Sequence, residues 1–70
     1  MEPDPMVLSG RERDVLRLLV EGCGNKEIAA RLSISEVAVK AALQRLFDKT
    51  GVRNRGQLIR LALQKYPNLL

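Results

Sequence analysis

The sequence contains no histidine and a single cysteine, Cys23. Without histidine, the commonest catalytic base and a principal zinc ligand are missing, and one thiol cannot close an intrachain disulfide. No nucleophile–base pair or metal-ligand cluster can be assembled from what remains, so no enzyme activity, cofactor, metal or small-molecule ligand is expected. Cys23 falls in a turn with no basic cluster beside it in sequence, which reads as an inert thiol rather than a redox sensor. Aromatic residues are nearly absent, with Phe47 and Tyr66 the only two. Leu, Ile, Val and Ala must therefore supply the core, which favours packed helices over a sandwich or barrel. No apolar run approaches the roughly 20 residues of a membrane span, and no signal-peptide pattern opens the chain. A soluble, cytoplasmic protein with no membrane partner is expected.

Acidic residues are also scarce in one half. Residues 1–32 carry five basic and six acidic side chains, a net −1, whereas residues 33–70 carry seven and two, a net +5. A basic half suits a polyanionic partner, although a solvated surface can show the same asymmetry. Seventy residues make one small domain. A chain of that size buries only roughly 60% of its unfolded surface, so association with a second copy would help to stabilise it.

What is present is organised by helix punctuation. "MEPDPMV" (1–7) reads as a disordered tail or a linker remnant. In "LSGRERDVLRLLVEG", Ser9 and Glu12 form a capping box, Leu8 can staple the first turn, and Val15, Leu16, Leu18 and Leu19 recur at helical spacing up to Gly22. Helix 1 is thus expected over about 10–21. "NKEIAARL" predicts helix 2 over about 26–32, with Asn25 as N-cap. "SIS" is a three-residue turn that gives helix 3, about 36–49, its cap at Ser35. Two helices joined by so short a turn meet at a steep angle, the helix-turn-helix arrangement. Gly51 closes helix 3. In "RNRGQLIRLALQKY", Asn54 and Gln57 make a second capping box, and Leu58, Ile59, Ala62 and Tyr66 share a stripe that Pro67 ends. The domain is expected to span 8–66, with a tail at 67–70.

On helix 3, about 100° per residue places Val39, Leu43, Leu46, Phe47 and Thr50 on one stripe, the expected core face. The opposite face carries Val37, Lys40, Ala41, Gln44 and, one turn later, Asp48. A helix enters the major groove only if its contacting face is slim. Ala41 permits close approach and can touch a thymine methyl, Lys40 can donate to guanine O6 and N7, and Gln44 can bond adenine in bidentate fashion. On helix 4, Leu61 and Leu63 flank the stripe and cannot both be buried easily. Leu61 either marks a dimer face, with Gln64 and Lys65, or leans on Leu69 or Leu70.

From Leu8 to Leu63 the chain resembles the LuxR/GerE-type helix-turn-helix domain. The matching pieces are "LSGRERDVLRLLVEG", "NKEIAARL", Ser35, "VK" at 39–40, Lys49, "GVRNRGQL" and the apolar start of helix 4. Any one of them is weak; the combination is specific. The resemblance implies an all-α four-helix bundle whose third helix enters the major groove of double-stranded DNA. It also implies a bacterial transcription regulator, either stand-alone or the output domain of a response regulator, a homodimer paired through helix 4, and RNA polymerase as a further partner. Carried over by position, Lys40, Ala41 and Gln44 would read bases, while Asn25, Lys26, Ser35, Arg45, Lys49 and Arg55 would contact the backbone. Two positions depart from the family's usual pattern: alanine stands at 38 in place of threonine and at 42 in place of histidine. Both are expected to weaken or retune DNA binding, 38 through a lost phosphate donor and 42 through a polar group lost from the flank. Two rivals share parts of this pattern. One is a helix-turn-helix interaction module that has lost DNA affinity, which Ala38 and Ala42 favour and the basic half opposes. The other is region 4 of a sigma factor, which shares the "SxxxVK" layout but not the "GVRNRGQL" tail.

Overall fold

The computed structural model of the chain describes residues 8–65. The expected tail at 1–7, the place of Tyr66 on the helix 4 stripe, the stop at Pro67 and the tail at 67–70 lie outside the described residues. Four helices follow one another: α1 (Gly10–Val20), α2 (Asn25–Leu32), α3 (Glu36–Thr50) and α4 (Arg55–Lys65). No strand occurs among the described residues.

The helix ends follow from local chemistry. Ser9 Oγ accepts from the Glu12 N–H at 3.2 Å while Glu12 Oε1 accepts from the Ser9 N–H at 3.0 Å, so the α1 capping box forms as the sequence predicts. Such a cap contributes about 1 kcal/mol. Past the other end, Gly22 takes φ 99°, and the N–H groups of Gly22 and Cys23 return to Leu19 O and Leu18 O. This double closure satisfies carbonyls that the helix leaves open. A second closure of the same kind ends α2. There Ser33, with φ 56° and ψ 44°, donates to Ala30 O, and Ile34 donates to Ala29 O. The reversal lets Ile34 pack against the core and turns the chain directly into Ser35, whose Oγ caps α3 by accepting from the Ala38 N–H at 3.0 Å.

Two expected caps are corrected. Asn25 is not an N-cap: Gly24 is, with ψ 171° and no side-chain cap, and Asn25 is the first residue of α2. Gly24 already supplies the extended backbone that a cap residue needs, and the Asn25 side chain is drawn elsewhere. At α4, Asn54 Oδ1 accepts from the Gln57 N–H as expected, but Gln57 Oε1 accepts from the N–H of Arg53 rather than that of Asn54.

Val15, Leu16, Leu19, Ile28, Val39, Leu46 and Leu58 form the centre of the core. Each fully buried large apolar side chain contributes about 1.5–3 kcal/mol. α3 runs through the middle, packed by α1, α2 and α4. Its buried face is Val39, Ala42, Leu43 and Leu46, with Phe47 and Thr50 half-buried. Relative to the predicted stripe, the core face is turned by about 30–40° toward Ala42, at 100° per residue. Three neighbours rather than one set its direction. Ala42 is therefore wholly enclosed, and the expectation that position 42 lies on the helix flank is corrected.

Candidate nucleic-acid interface

With one face of α3 held in the core, the other is fixed in solvent. Val37, Ala41, Gln44 and Asp48 follow one another at intervals of four, three and four residues, and all four are exposed. They make a single stripe along the helix. Lys40 and Arg45 stand exposed on either side of it. Val37, three-quarters exposed, is the most exposed large apolar side chain among the described residues. Sequence reasoning put it on this face without giving it a role. An apolar side chain two residues past a capping serine, at the open end of the stripe, was the available signal. Gln44 Nε2 donates to Asp48 Oδ1 at 3.0 Å across one helical turn. The Ala38 N–H is taken by Ser35, and the Ala38 side chain is half-buried.

The six residues expected at the DNA backbone divide into two groups. Lys26 and Arg45 are exposed at the start of α2 and beside the α3 stripe, and Ser35 is exposed as the cap of α3. Asn25, Lys49 and Arg55 also tie elements together. Arg55 Nη1 donates to Asn25 Oδ1 at 2.8 Å, and its Nη2 donates to Cys23 O at 2.9 Å, so a forked guanidinium at the start of α4 holds the turn that leads into α2. The Lys49 ammonium, near the end of α3, reaches Glu12 Oε1 at 2.5 Å. Glu12 is the buried carboxylate of the α1 capping box. Burial alone would push its pKa up; the hydrogen bonds from Lys49 and the Ser9 N–H, with the Lys49 charge, outweigh burial and hold it below its ordinary value. Cys23 is buried, and contrary to its isolated appearance in sequence, Arg31 Nη1 lies 3.5 Å from its Sγ.

On α4, Leu58 and Ala62 face the core. Leu61 is half-buried and lines an open cleft of about 460 Å³ with Val52, Arg60 and Gln64, and no residue of the α3 stripe lines it. Leu63, on the other flank, is about half exposed, and Gln64 and Lys65 are exposed. No group of side chains that could hold a metal occurs among the described residues, and no described helix is long and apolar enough to cross a membrane.

A short helix, a three-residue turn and a longer helix with a slim, exposed outer face define a helix-turn-helix DNA-binding domain. Residues 6–62 match the bacterial regulatory proteins of the luxR family (GerE), and the chain belongs to that family. It is a LuxR-type DNA-binding domain of a transcription regulator. The chain is 38% identical to a solved structure titled as that of the transcription factor GerE, with a TM-score of 0.76 over 81% of this chain and 85% of that one. Among curated proteins it is 52% identical over 77% of its length to the probable transcriptional regulator ycf29 of Cyanophora paradoxa, covering 26% of that protein. It is 47% identical over 89% of its length to the response regulator Rre1 of Synechocystis, covering 28%. It is 40% identical over 89% of its length to the oxygen regulatory protein NreC of Staphylococcus aureus, covering 29%. The chain thus spans little more than a quarter of the length of these relatives.

Proposed function

We propose that this domain binds a specific double-stranded DNA site with α3 in the major groove, and that it does so as the output domain of a bacterial response regulator working in the cytoplasm on the nucleoid. The outer face of α3 carries the reading. Lys40, Ala41 and Gln44 stand exposed, with Val37 beside them, on a helix whose opposite face is enclosed by three others. Lys40 and Gln44 supply contacts to base edges, and Val37 and Ala41 offer apolar contact to thymine methyls. Phosphate contacts supply most of the affinity and come from Lys26, Ser35 and Arg45. The start of α2 adds backbone N–H groups that no side chain caps. Asn25, Lys49 and Arg55 act through the geometry they hold. A second copy pairs through α4 at Leu61, Gln64 and Lys65, and RNA polymerase would be met by the assembled regulator on its promoter.

Fluorescence anisotropy over a salt series, joined to selection from a random duplex library, tests this. With about three to five phosphate contacts, log K should fall with log[salt] at roughly −0.9 per contact. Lys40→Ala or Gln44→Ala should cost about 1–3 kcal/mol and change the selected site, whereas Lys26→Ala or Arg45→Ala should weaken every sequence alike. Flat salt dependence, or no binding at low salt, would favour the interaction-module alternative.

A further inference from the structure

The outer stripe of α3 ends in a pair of unequal groups. Gln44 Nε2 donates to Asp48 Oδ1 at 3.0 Å, and both side chains are exposed. An ionised carboxylate has only acceptors, so only the amino end of the Gln44 amide can face it. Asp48 therefore sets which way round the amide lies. Nε2 is drawn toward the C-terminal end of the stripe, and Oε1 is left for a ligand.

This changes what a glutamine at this place can read. A glutamine with both ends available pairs with adenine by donating to N7 and accepting from N6. Here one of the two amide N–H groups is engaged, and an adenine N7 brought to the other would also lie beside the Asp48 carboxylate, acceptor against acceptor. Guanine presents two acceptors, N7 and O6, and fits worse. Thymine presents O4, another acceptor. Cytosine alone presents an amino donor with no neighbouring acceptor on its own edge, and carboxylates are among the groups that accept from it. We propose that Asp48 is a positioning residue that makes Gln44 an acceptor, so that the pair selects a cytosine amino group in the major groove. The inference rests on α3 being the groove-reading helix.

The test is duplex selection with the 70-residue chain and its Gln44→Ala, Asp48→Ala and Asp48→Asn variants, followed by affinities on matched duplexes that differ only at the position Gln44 governs. Both side chains are exposed, and circular dichroism of the variants checks that the helices persist. The parent chain should prefer cytosine over adenine at that position by about fivefold or more, on the scale of one specific base contact. Asp48→Ala should invert the preference toward adenine, because it releases the amide's orientation and removes the acceptor that would face N7. Asp48→Asn removes the charge and can face the amide either way round, so it should fall between. Removing a carboxylate should also tighten binding to all duplexes. If tightening is the whole effect, and the preferred base stays the same, the inference is overturned. That outcome differs from failure of the underlying reading, in which Gln44→Ala and Lys40→Ala would both leave the selected site unaltered.

Discussion

A carboxylate buried in a small domain stays charged only if its surroundings hold the charge. Glu12 accepts from the Ser9 N–H and from Lys49, and its pKa lies below the ordinary 4.5. The folded state therefore binds the Glu12 proton more weakly than the unfolded chain does. The resulting stabilisation is complete above about pH 4.5 and is lost as the pH falls through the lower, folded value. Glu12→Gln should cost about 1.5–3 kcal/mol at pH 7, the range for hydrogen bonds to charged groups. The gap between parent and variant should narrow as the pH drops from 5 toward 3. Urea unfolding at stepped pH measures it, and a gap independent of pH would show that the Glu12 charge does not contribute. Half of this arrangement is legible in the sequence. The Ser9–Glu12 box is local, three residues apart, and follows from residue types. The Lys49 half joins positions 37 apart, and no spacing rule reaches that far. In sequence, Lys49 is one more cation in a basic half and reads as a DNA contact. Arg55 joins Asn25 across 30 residues, and that bond is illegible in the sequence for the same reason.

At the scale of the element, the sequence predicts helix ends within a residue or two, because caps and stops are chosen by neighbouring atoms. Ser9, Ser35 and Asn54 act as predicted, and Gly22 and Gly51 both take positive φ. The direction each helix faces is harder to read. One apolar stripe suggests one partner, but α3 has three, and so Ala42 is enclosed although its small side chain gives little periodic signal. Ala42 touches no solvent, so its side chain serves packing rather than the surface. The α2–α3 turn leaves one residue strained. Ser33 is the only non-glycine with positive φ among the described residues. It is exposed, and the turn uses its backbone N–H. Ser33→Gly should therefore stabilise the domain by about 0.5–1 kcal/mol, the cost of a side chain in this region less the extra backbone entropy that glycine loses. For a domain this small, that corresponds to a rise of about 2–8 °C in Tm. An unchanged or lower Tm would mean that the Ser33 side chain makes a compensating contact in the folded state.

At the scale of the molecule, the proposed second copy would meet α4, which keeps apolar side chains outside the core. Leu61 is only half-buried beside an open cleft, and Leu63 is exposed on the opposite flank. If pairing uses the Leu61 side, Leu61→Glu should shift sedimentation toward monomer with helical circular dichroism intact, and Leu63→Glu should not. The reverse pattern would move the interface to the other flank, and a parent chain that stays monomeric at high concentration and on DNA would remove it. The bond between Glu12 and Lys49 also has a consequence in time. Small helical domains fold within about microseconds to milliseconds because most of their contacts close short loops. A clasp between positions 37 apart closes a long loop, so it should form after the folding barrier is crossed. Its loss should then speed unfolding and leave folding nearly unchanged. Stopped-flow rates for Glu12→Gln should show the unfolding limb displaced upward and the folding limb superimposed on the parent. A slowed folding limb would instead place the clasp in the nucleus. With the first pattern, Glu12 and Lys49 set how long a folded copy lasts, not how soon it forms.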